Sequence, residues 1–102
     1  MKLYIDTSQR EEITISLDGE VFKTNSKKEK SQRLLPFIDE VLRKKRRTLN
    51  DLTEIEVNTG PGSFTGLKVG VSVAQALGWA LKIPVNGKDL KEGQTIDIVY
   101  DK

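Results

Sequence analysis

A glycine-rich block separates a short apolar segment, residues 55–57, from a long proline-free apolar segment, residues 67–81. The block reads Gly60, Pro61, Gly62, Ser63, Phe64, Thr65 and Gly66. This order predicts a strand, a tight turn and a helix from about residue 65 to residue 81. Free N–H groups at a helix N-terminus attract anions. The block is therefore either a strand-to-helix turn capped by Ser63 or Thr65, or an anion site.

The block matches neither of the two common phosphate-binding motifs. A Walker A loop needs Lys directly after its last glycine, whereas Leu67 follows Gly66 and Lys68 comes one position late. The dinucleotide fingerprint needs a third glycine where this chain has Thr65. The sequence thus gives no specific evidence for a nucleotide.

The segments before the block predict a meander of three strands. Residues 3–5 are apolar and residues 13–17 alternate apolar with polar side chains. The pair Asp18-Gly19 before residues 20–22 is typical of a two-residue hairpin turn. Residues 6–8, Asp-Thr-Ser, then form either a strand-end turn or a site that orients a metal-bound phosphate.

A first helix is predicted from about residue 31 to residue 47, with Ser31 as its cap. Pro36 is unfavourable inside it, because its ring clashes with the preceding turn. One apolar stripe with helical spacing runs along it: Leu34, Leu35, Ile38, Val41 and Leu42. Residues 55–57 would then form a fourth strand, parallel to the first through a helical crossover. Residues 83–85 predict a fifth strand and residues 95–100 a sixth.

Small residues recur every four positions on the second predicted helix, at Gly66, Gly70, Ala74 and Gly78. A glycine inside a helix costs about 1 kcal/mol of stability relative to alanine. Small residues on this line therefore indicate a closely packed neighbour, either the domain's own sheet or a neighbouring helix. A second line leaves apolar surface for a partner: Val69, Val73, Ala76 and Ala80. Trp79 lies on a mostly polar stripe. It is either an anchor of a protein interface or a side chain half-buried against the domain's own helix.

Composition restricts the chemistry available to the chain. Its 102 residues are enough for one domain and include no Cys and no His. It therefore lacks disulfides, a thiol nucleophile, an imidazole base and the usual zinc or copper ligands, and no metal or cofactor is expected. Asp6 comes before any apolar run of signal-peptide length, and no run approaches the roughly 20 apolar residues of a membrane span. We expect a cytoplasmic protein.

Charge is distributed unevenly, because residues 23–47 carry ten Lys or Arg and three acids, whereas the whole chain has a net charge of +2. The densest part is a run of five cations: Arg43, Lys44, Lys45, Arg46 and Arg47. Cations at a helix C-terminus are favoured by the helix dipole. Clustered cations also attract a phosphate backbone, so direct tRNA binding is the alternative.

Six segments agree in order and spacing with one known family. They are residues 5–8 (Ile-Asp-Thr-Ser), the Asp18-Gly19 hairpin, residues 31–38 (Ser-Gln-Arg-Leu-Leu-Pro-Phe-Ile), residues 49–52 (Leu-Asn-Asp-Leu), residues 60–70, and residues 83–85 (Ile-Pro-Val). With these segments the chain resembles the TsaB (YeaZ) family, bacterial proteins needed to make threonylcarbamoyladenosine in tRNA. The glycine block is the most specific of them.

The resemblance implies an α/β fold, the N-terminal lobe of the actin-like, sugar-kinase-like (ASKHA, ribonuclease H-like) fold. Such a lobe has a mixed sheet of five or six strands and two main helices. The lobe would take residues 1–87, leaving residues 88–102 as a divergent tail, and the second lobe of the family is absent. A nucleotide cleft between lobes then could not close within this chain, although a nucleotide-binding half-site remains an alternative.

The resemblance further implies a non-catalytic subunit that supports TsaD, which transfers the threonylcarbamoyl group to tRNA, with TsaE as the associated ATPase. TsaB-like chains pair with TsaD or with themselves through the two helices of this lobe. Carried over, the interface comprises Leu34, Leu35, Ile38, Val41, Leu42, Val69, Val73, Ala76 and Ala80, with Trp79 as a further candidate. The family usually has His where this chain has Lys30, a departure that implies no metal role. A phosphotransfer enzyme would need both lobes and a general base.

Overall fold

The structure is a computed structural model that describes residues 1–26 and 29–89. These residues form four strands and two long helices. The strands are β1 (Lys2–Asp6), β2 (Glu12–Leu17), β3 (Glu20–Asn25) and β4 (Glu54–Val57), and the helices are α1 (Lys30–Lys44) and α2 (Phe64–Leu81). A single 3₁₀ turn at Leu49–Asp51 precedes β4.

The four strands form one mixed sheet in the order β3-β2-β1-β4. The first three are antiparallel neighbours, and β4 lies parallel to β1. Asp18 and Gly19 turn between β2 and β3 with φ values of 49° and 90°, the left-handed conformations that a tight hairpin requires. The predicted meander and the predicted parallel fourth strand are both confirmed.

Both helices cover the same face of the sheet. Alternate strand residues such as Leu3, Ile5 and Ile15 are completely buried, whereas Tyr4 and Ser16 between them stay half-exposed. Helix α2 packs on β1 and β4, and α1 packs on β2 and against α2. The opposite face of the sheet is polar, as the alternation of β2 predicts.

The sheet of the described residues has four strands, so the predicted count of five or six is not confirmed. Val85 makes one isolated parallel bridge to Ile55 of β4 and another, antiparallel, to Lys88, but no further strand forms among the described residues. Pro84 has no N–H to donate, and Asn86 turns the chain away with a φ of 50°. The sixth predicted strand, residues 95–100, lies outside the described residues.

Asn86 nevertheless completes the outer edge of β4. Its side-chain amide accepts a hydrogen bond from the Val57 N–H (2.8 Å) and donates one to the Val57 carbonyl (3.1 Å). Ile55 is paired in the same way by the backbone, donating to the Pro84 carbonyl and accepting from the Asn86 N–H. A side chain therefore replaces the peptide group that a fifth strand would present.

The ends of α1 differ from the prediction. The helix begins at Lys30 after Glu29, whose φ is 62°, so Ser31 lies inside the first turn and is not the cap. The helix passes through Pro36 and ends at Lys44 instead of residue 47. It ends there because Arg46 adopts a left-handed φ of 57° and the Arg47 N–H turns back to the Leu42 carbonyl.

Candidate functional site

The end of β1 is a closed hydrogen-bonded turn. Asp6 Oδ1 accepts hydrogen bonds from the Ser8 backbone N–H (2.9 Å), the Ser8 hydroxyl (2.6 Å) and the Asn58 amide (3.1 Å). Burial raises the pKa of the Asp6 carboxyl, but these bonds and the charge of Lys30 outweigh burial, so its pKa is lowered. Among the described residues no cluster of three or more metal-ligating side chains occurs. The geometry supports the strand-end turn.

Thr7 connects β1 to the backbone of α2. Its buried hydroxyl donates to the Gly66 carbonyl (2.5 Å) and accepts from the Gly70 N–H (3.2 Å). Those two groups are the ordinary i to i+4 partners of one helical turn. The hydroxyl thus bonds to both members of one backbone pair of α2. The sequence points to this only indirectly, through a threonine directly after an apolar strand.

The small residues of α2 face the domain's own sheet. A Cβ on Gly66 would lie 2.5 Å from the Thr7 carbonyl oxygen, and one on Gly70 would lie 2.6 Å from the Thr7 hydroxyl oxygen. Both separations are too short for non-bonded atoms, so β1 requires glycine at both positions. Of the two predicted explanations for the small line, the close approach of the sheet is the one observed.

The glycine block forms the predicted strand-to-helix turn. Ser63 is the N-cap residue of α2, and its hydroxyl accepts from the Gly66 N–H at 3.5 Å. The Gly60–Pro61 peptide bond is cis, and Gly60 has a φ of 118°. Thr65, the other predicted cap, lies inside the first helical turn.

A polar cleft of about 520 Å³ lies between the glycine block, the loop after β1 and the start of α1. Its charged lining carries both signs: Arg10, Lys30, Glu11 and Glu29. Lys30 Nζ donates to the Thr7 carbonyl (3.1 Å) and to the Gln9 carbonyl. Burial lowers the pKa of this ammonium, although the charges of Asp6 and Glu12 oppose the shift. Lys30 thus fastens the loop after β1 to α1, a role that the sequence did not predict.

Four of the five predicted interface residues of α1 belong to the protein's own core. Leu34, Ile38, Val41 and Leu42 are at most 2% exposed. Their stripe faces the sheet and α2, so the expectation that they offer uncovered surface is wrong. Leu35 differs, because its side chain points away from the stripe and is 42% exposed.

The predicted line on α2 lies at the edge of the core. Val69 and Val73 are half-buried against the core, and Ala76 and Ala80 are exposed. Trp79 is 69% exposed, so the alternative of a Trp half-buried against the domain's own helix is wrong. We call these residues of α2, together with Leu35 of α1, the helical face: Leu35, Val69, Val73, Ala76, Trp79 and Ala80.

Ion pairs engage three cations of the basic run. Arg43 pairs with Asp39 (3.0 Å), Lys44 with Glu40 (3.7 Å) and Lys45 with Glu20 (2.6 Å). Arg46 and Arg47 lie beyond the last helical residue, and neither forms an ion pair within residues 1–26 and 29–89.

Several known proteins resemble this chain in sequence and in fold. A family model described as "TsaD: tRNA N6-adenosine threonylcarbamoyltransferase" matches residues 9–87, well over half of the chain. The "tRNA threonylcarbamoyladenosine biosynthesis protein TsaB" of Buchnera aphidicola subsp. Schizaphis graminum is 43% identical over 63 residues, which are 62% of this chain and 30% of that protein. The solved structure "YeaZ from Pseudomonas aeruginosa" superposes with a TM-score of 0.69 at 31% identity. The chain belongs to the TsaB (YeaZ) family.

This TsaB-family chain also resembles a relative named as the transferase. The "tRNA N6-adenosine threonylcarbamoyltransferase" of Nitrosospira multiformis is 45% identical over 65 residues, 64% of this chain and 19% of that protein. The superposition on YeaZ covers 82% of this chain but only 41% of that one. The chain therefore spans less than half the length of these relatives, and its mixed α/β fold corresponds to one part of theirs. No helix in the described part of the TsaB-family chain is long and apolar enough to span a membrane.

Proposed function

We propose that this chain is a non-catalytic interaction subunit that supports a TsaD-like protein in the threonylcarbamoylation of tRNA adenosine. Its relatives' names place them in this modification. The observation that carries the proposal is the helical face, which includes an exposed tryptophan, an exposed leucine and two half-buried valines. A large exposed aromatic residue beside small apolar ones is typical of protein contacts.

The same proposal includes the architecture. The order β3-β2-β1-β4, with β4 parallel to β1 and both helices on one face, supports assignment of residues 1–87 as the N-terminal lobe of an actin-like fold. Within that assignment the second lobe lies outside the chain. A TsaE-like ATPase would join through the TsaD-like subunit, and the chain alone would pair with a second copy of itself.

The contact with the TsaD-like subunit is best tested at Trp79. Truncation of an exposed interface Trp typically costs about 2 kcal/mol or more, which corresponds to roughly 30-fold weaker binding. Calorimetric titration of the TsaD-like protein from the same cell into the Trp79→Ala variant should therefore give at least that loss. Val21→Ala is the matched control, because Val21 is 58% exposed but lies on the opposite face of the sheet.

Unchanged affinity of Trp79→Ala together with weakened binding by Val21→Ala would place the contact on the open face of the sheet. No detectable binding by the unmodified chain would reject the proposed partner altogether. Circular dichroism of both variants verifies that either change leaves the fold intact, as expected for side chains this exposed.

A further inference from the structure

We propose that the basic cap of α1, comprising Arg43, Lys44, Lys45, Arg46 and Arg47, binds the phosphate backbone of RNA. The choice of RNA rests on the proposed function in tRNA modification. The recognition itself rests on charge, since a phosphate backbone requires clustered cations and no particular base sequence. The proposal assigns to this chain a direct contact with the substrate of the complex.

The first argument is the free charge at the end of the helix. Arg46 and Arg47 are exposed and have no ion-pair partner among the described residues. Arg43 and Lys44 pair with Asp39 and Glu40 one turn earlier, on a surface where both partners of each pair are largely exposed. Exposed pairs of this kind contribute little, so phosphates can displace the carboxylates.

The second argument is the backbone of Arg46. The Arg46 N–H donates to the Arg43 carbonyl, and the Arg47 N–H donates to the Leu42 carbonyl. These two hydrogen bonds define a Schellman C-cap. In this motif the left-handed residue is usually glycine, because a side chain is strained there. Here that residue is Arg46, with a φ of 57°. The sequence places a cation where the fold favours glycine.

The helix dipole offers a competing explanation for the run. It accounts for Arg43 and Lys44, which are the basic residues of the last turn. It accounts less well for Arg46, since a cation could sit in the last turn without occupying a strained position. A contact with an external anion accounts for a cation at this position beyond the helix.

The test is fluorescence anisotropy of a labelled, unmodified tRNA transcript titrated with the full 102-residue chain over a range of salt concentrations. Each lost phosphate contact lowers the slope of log affinity against log salt by about 0.7 to 0.9. The double variant Arg46→Gly/Arg47→Gln should therefore show a slope smaller by about 1.5 and affinity reduced at least about tenfold at low salt. Unchanged slope and affinity would overturn the proposal.

Lys82→Gly is the matched control. Lys82 ends α2 in the same left-handed conformation, with a φ of 59°, so this change also removes one cation and one strained residue. Arg46→Gly and Lys82→Gly should both raise the melting temperature, but only Arg46→Gly should weaken RNA binding. Equal weakening by both would mean that net charge alone drives binding, and the basic cap would lose its role.

The same variants separate this inference from the proposed function. If the double variant binds RNA normally but loses the TsaD-like protein, the basic cap is a protein contact and the RNA proposal fails. If the unmodified chain binds RNA through the cap but never binds the TsaD-like protein, the proposed partner fails while the RNA contact stands.

Discussion

A single hydroxyl group decides how closely α2 approaches β1. The Thr7 hydroxyl accepts from the Gly70 N–H and donates to the Gly66 carbonyl, so one side chain of β1 bonds to two backbone groups of α2. Gly66 and Gly70 leave the space for this contact. The strand and the helix are thus connected by hydrogen bonds as well as by apolar packing.

We predict that Thr7→Val destabilises the protein by about 1–3 kcal/mol, because the isosteric methyl removes the buried hydrogen bonds of the hydroxyl to Gly66 and Gly70. Thr7→Ser keeps the hydroxyl and should lose only about 1 kcal/mol from the missing methyl. Urea unfolding measures both, and equal losses would show that the hydroxyl contributes nothing.

Asp6 should make the free energy of unfolding depend on pH in the acidic range. Its pKa is lowered in the folded protein, so its contribution is complete above the ordinary value of 3.8 and is lost as the pH falls through the folded value. We expect the gap in unfolding free energy between the unmodified chain and Asp6→Asn to be largest near neutral pH and to narrow below pH 3.8. Unfolding curves with a constant gap between neutral pH and about pH 2.5 would contradict this.

At the scale of elements, α1 tolerates a proline at an exposed position in its middle. Pro36 has no N–H for the Gln32 carbonyl, which lies four residues earlier, and its ring crowds that turn. The helix persists because its apolar stripe is buried against the sheet, a tertiary contribution that local propensity does not include.

Pro36→Ala should therefore stabilise the protein by about 1–3 kcal/mol, part of the interior-proline penalty being offset by a more flexible unfolded chain. Gln32→Ala, an exposed change on the same helix, should alter stability by no more than about 0.5 kcal/mol. Thermal unfolding of the two variants provides the comparison. A lower melting temperature for Pro36→Ala would show that the proline is built into the packing.

Apolar patterns and turn residues predicted the four strands and the two long helices that the structure describes, together with the hairpin and the parallel pairing of β4, but not the 3₁₀ turn at Leu49–Asp51. The same patterns could not say what each apolar stripe faces. Leu34 and Ile38 were expected at a partner surface but lie against the protein's own sheet, whereas Trp79 on a polar stripe is exposed. Lys30 and Asn86 act through backbone groups that are distant in sequence, which no local pattern records.

At the scale of the whole molecule, the chain alone should be a homodimer through the helical face, since an isologous two-fold contact is the commonest way to cover such a surface. Ala76→Glu should yield monomers, because a carboxylate buried without a partner is costly and the same residue in water is not. Light scattering measures the mass. Val21→Glu, on the far face, should leave the dimer unchanged, and a monomeric unmodified chain would count against the interface.

We also expect no ATP binding at micromolar affinity by this chain. The polar cleft beside the glycine block carries charges of both signs, so its lining does not favour a polyphosphate. Titration calorimetry with Mg-ATP tests this. A micromolar dissociation constant would instead support the nucleotide half-site.

The Asn86 amide makes the two borders of the sheet unequal. It saturates the outer groups of β4, whereas no described residue pairs with the outer border of β3. The described part of the chain therefore has one free border for strand pairing, which makes it monofunctional in the sense of polymer chemistry. Two copies can join through β3, and the described parts of both chains then present only saturated borders, so strand pairing through these residues ends at two copies.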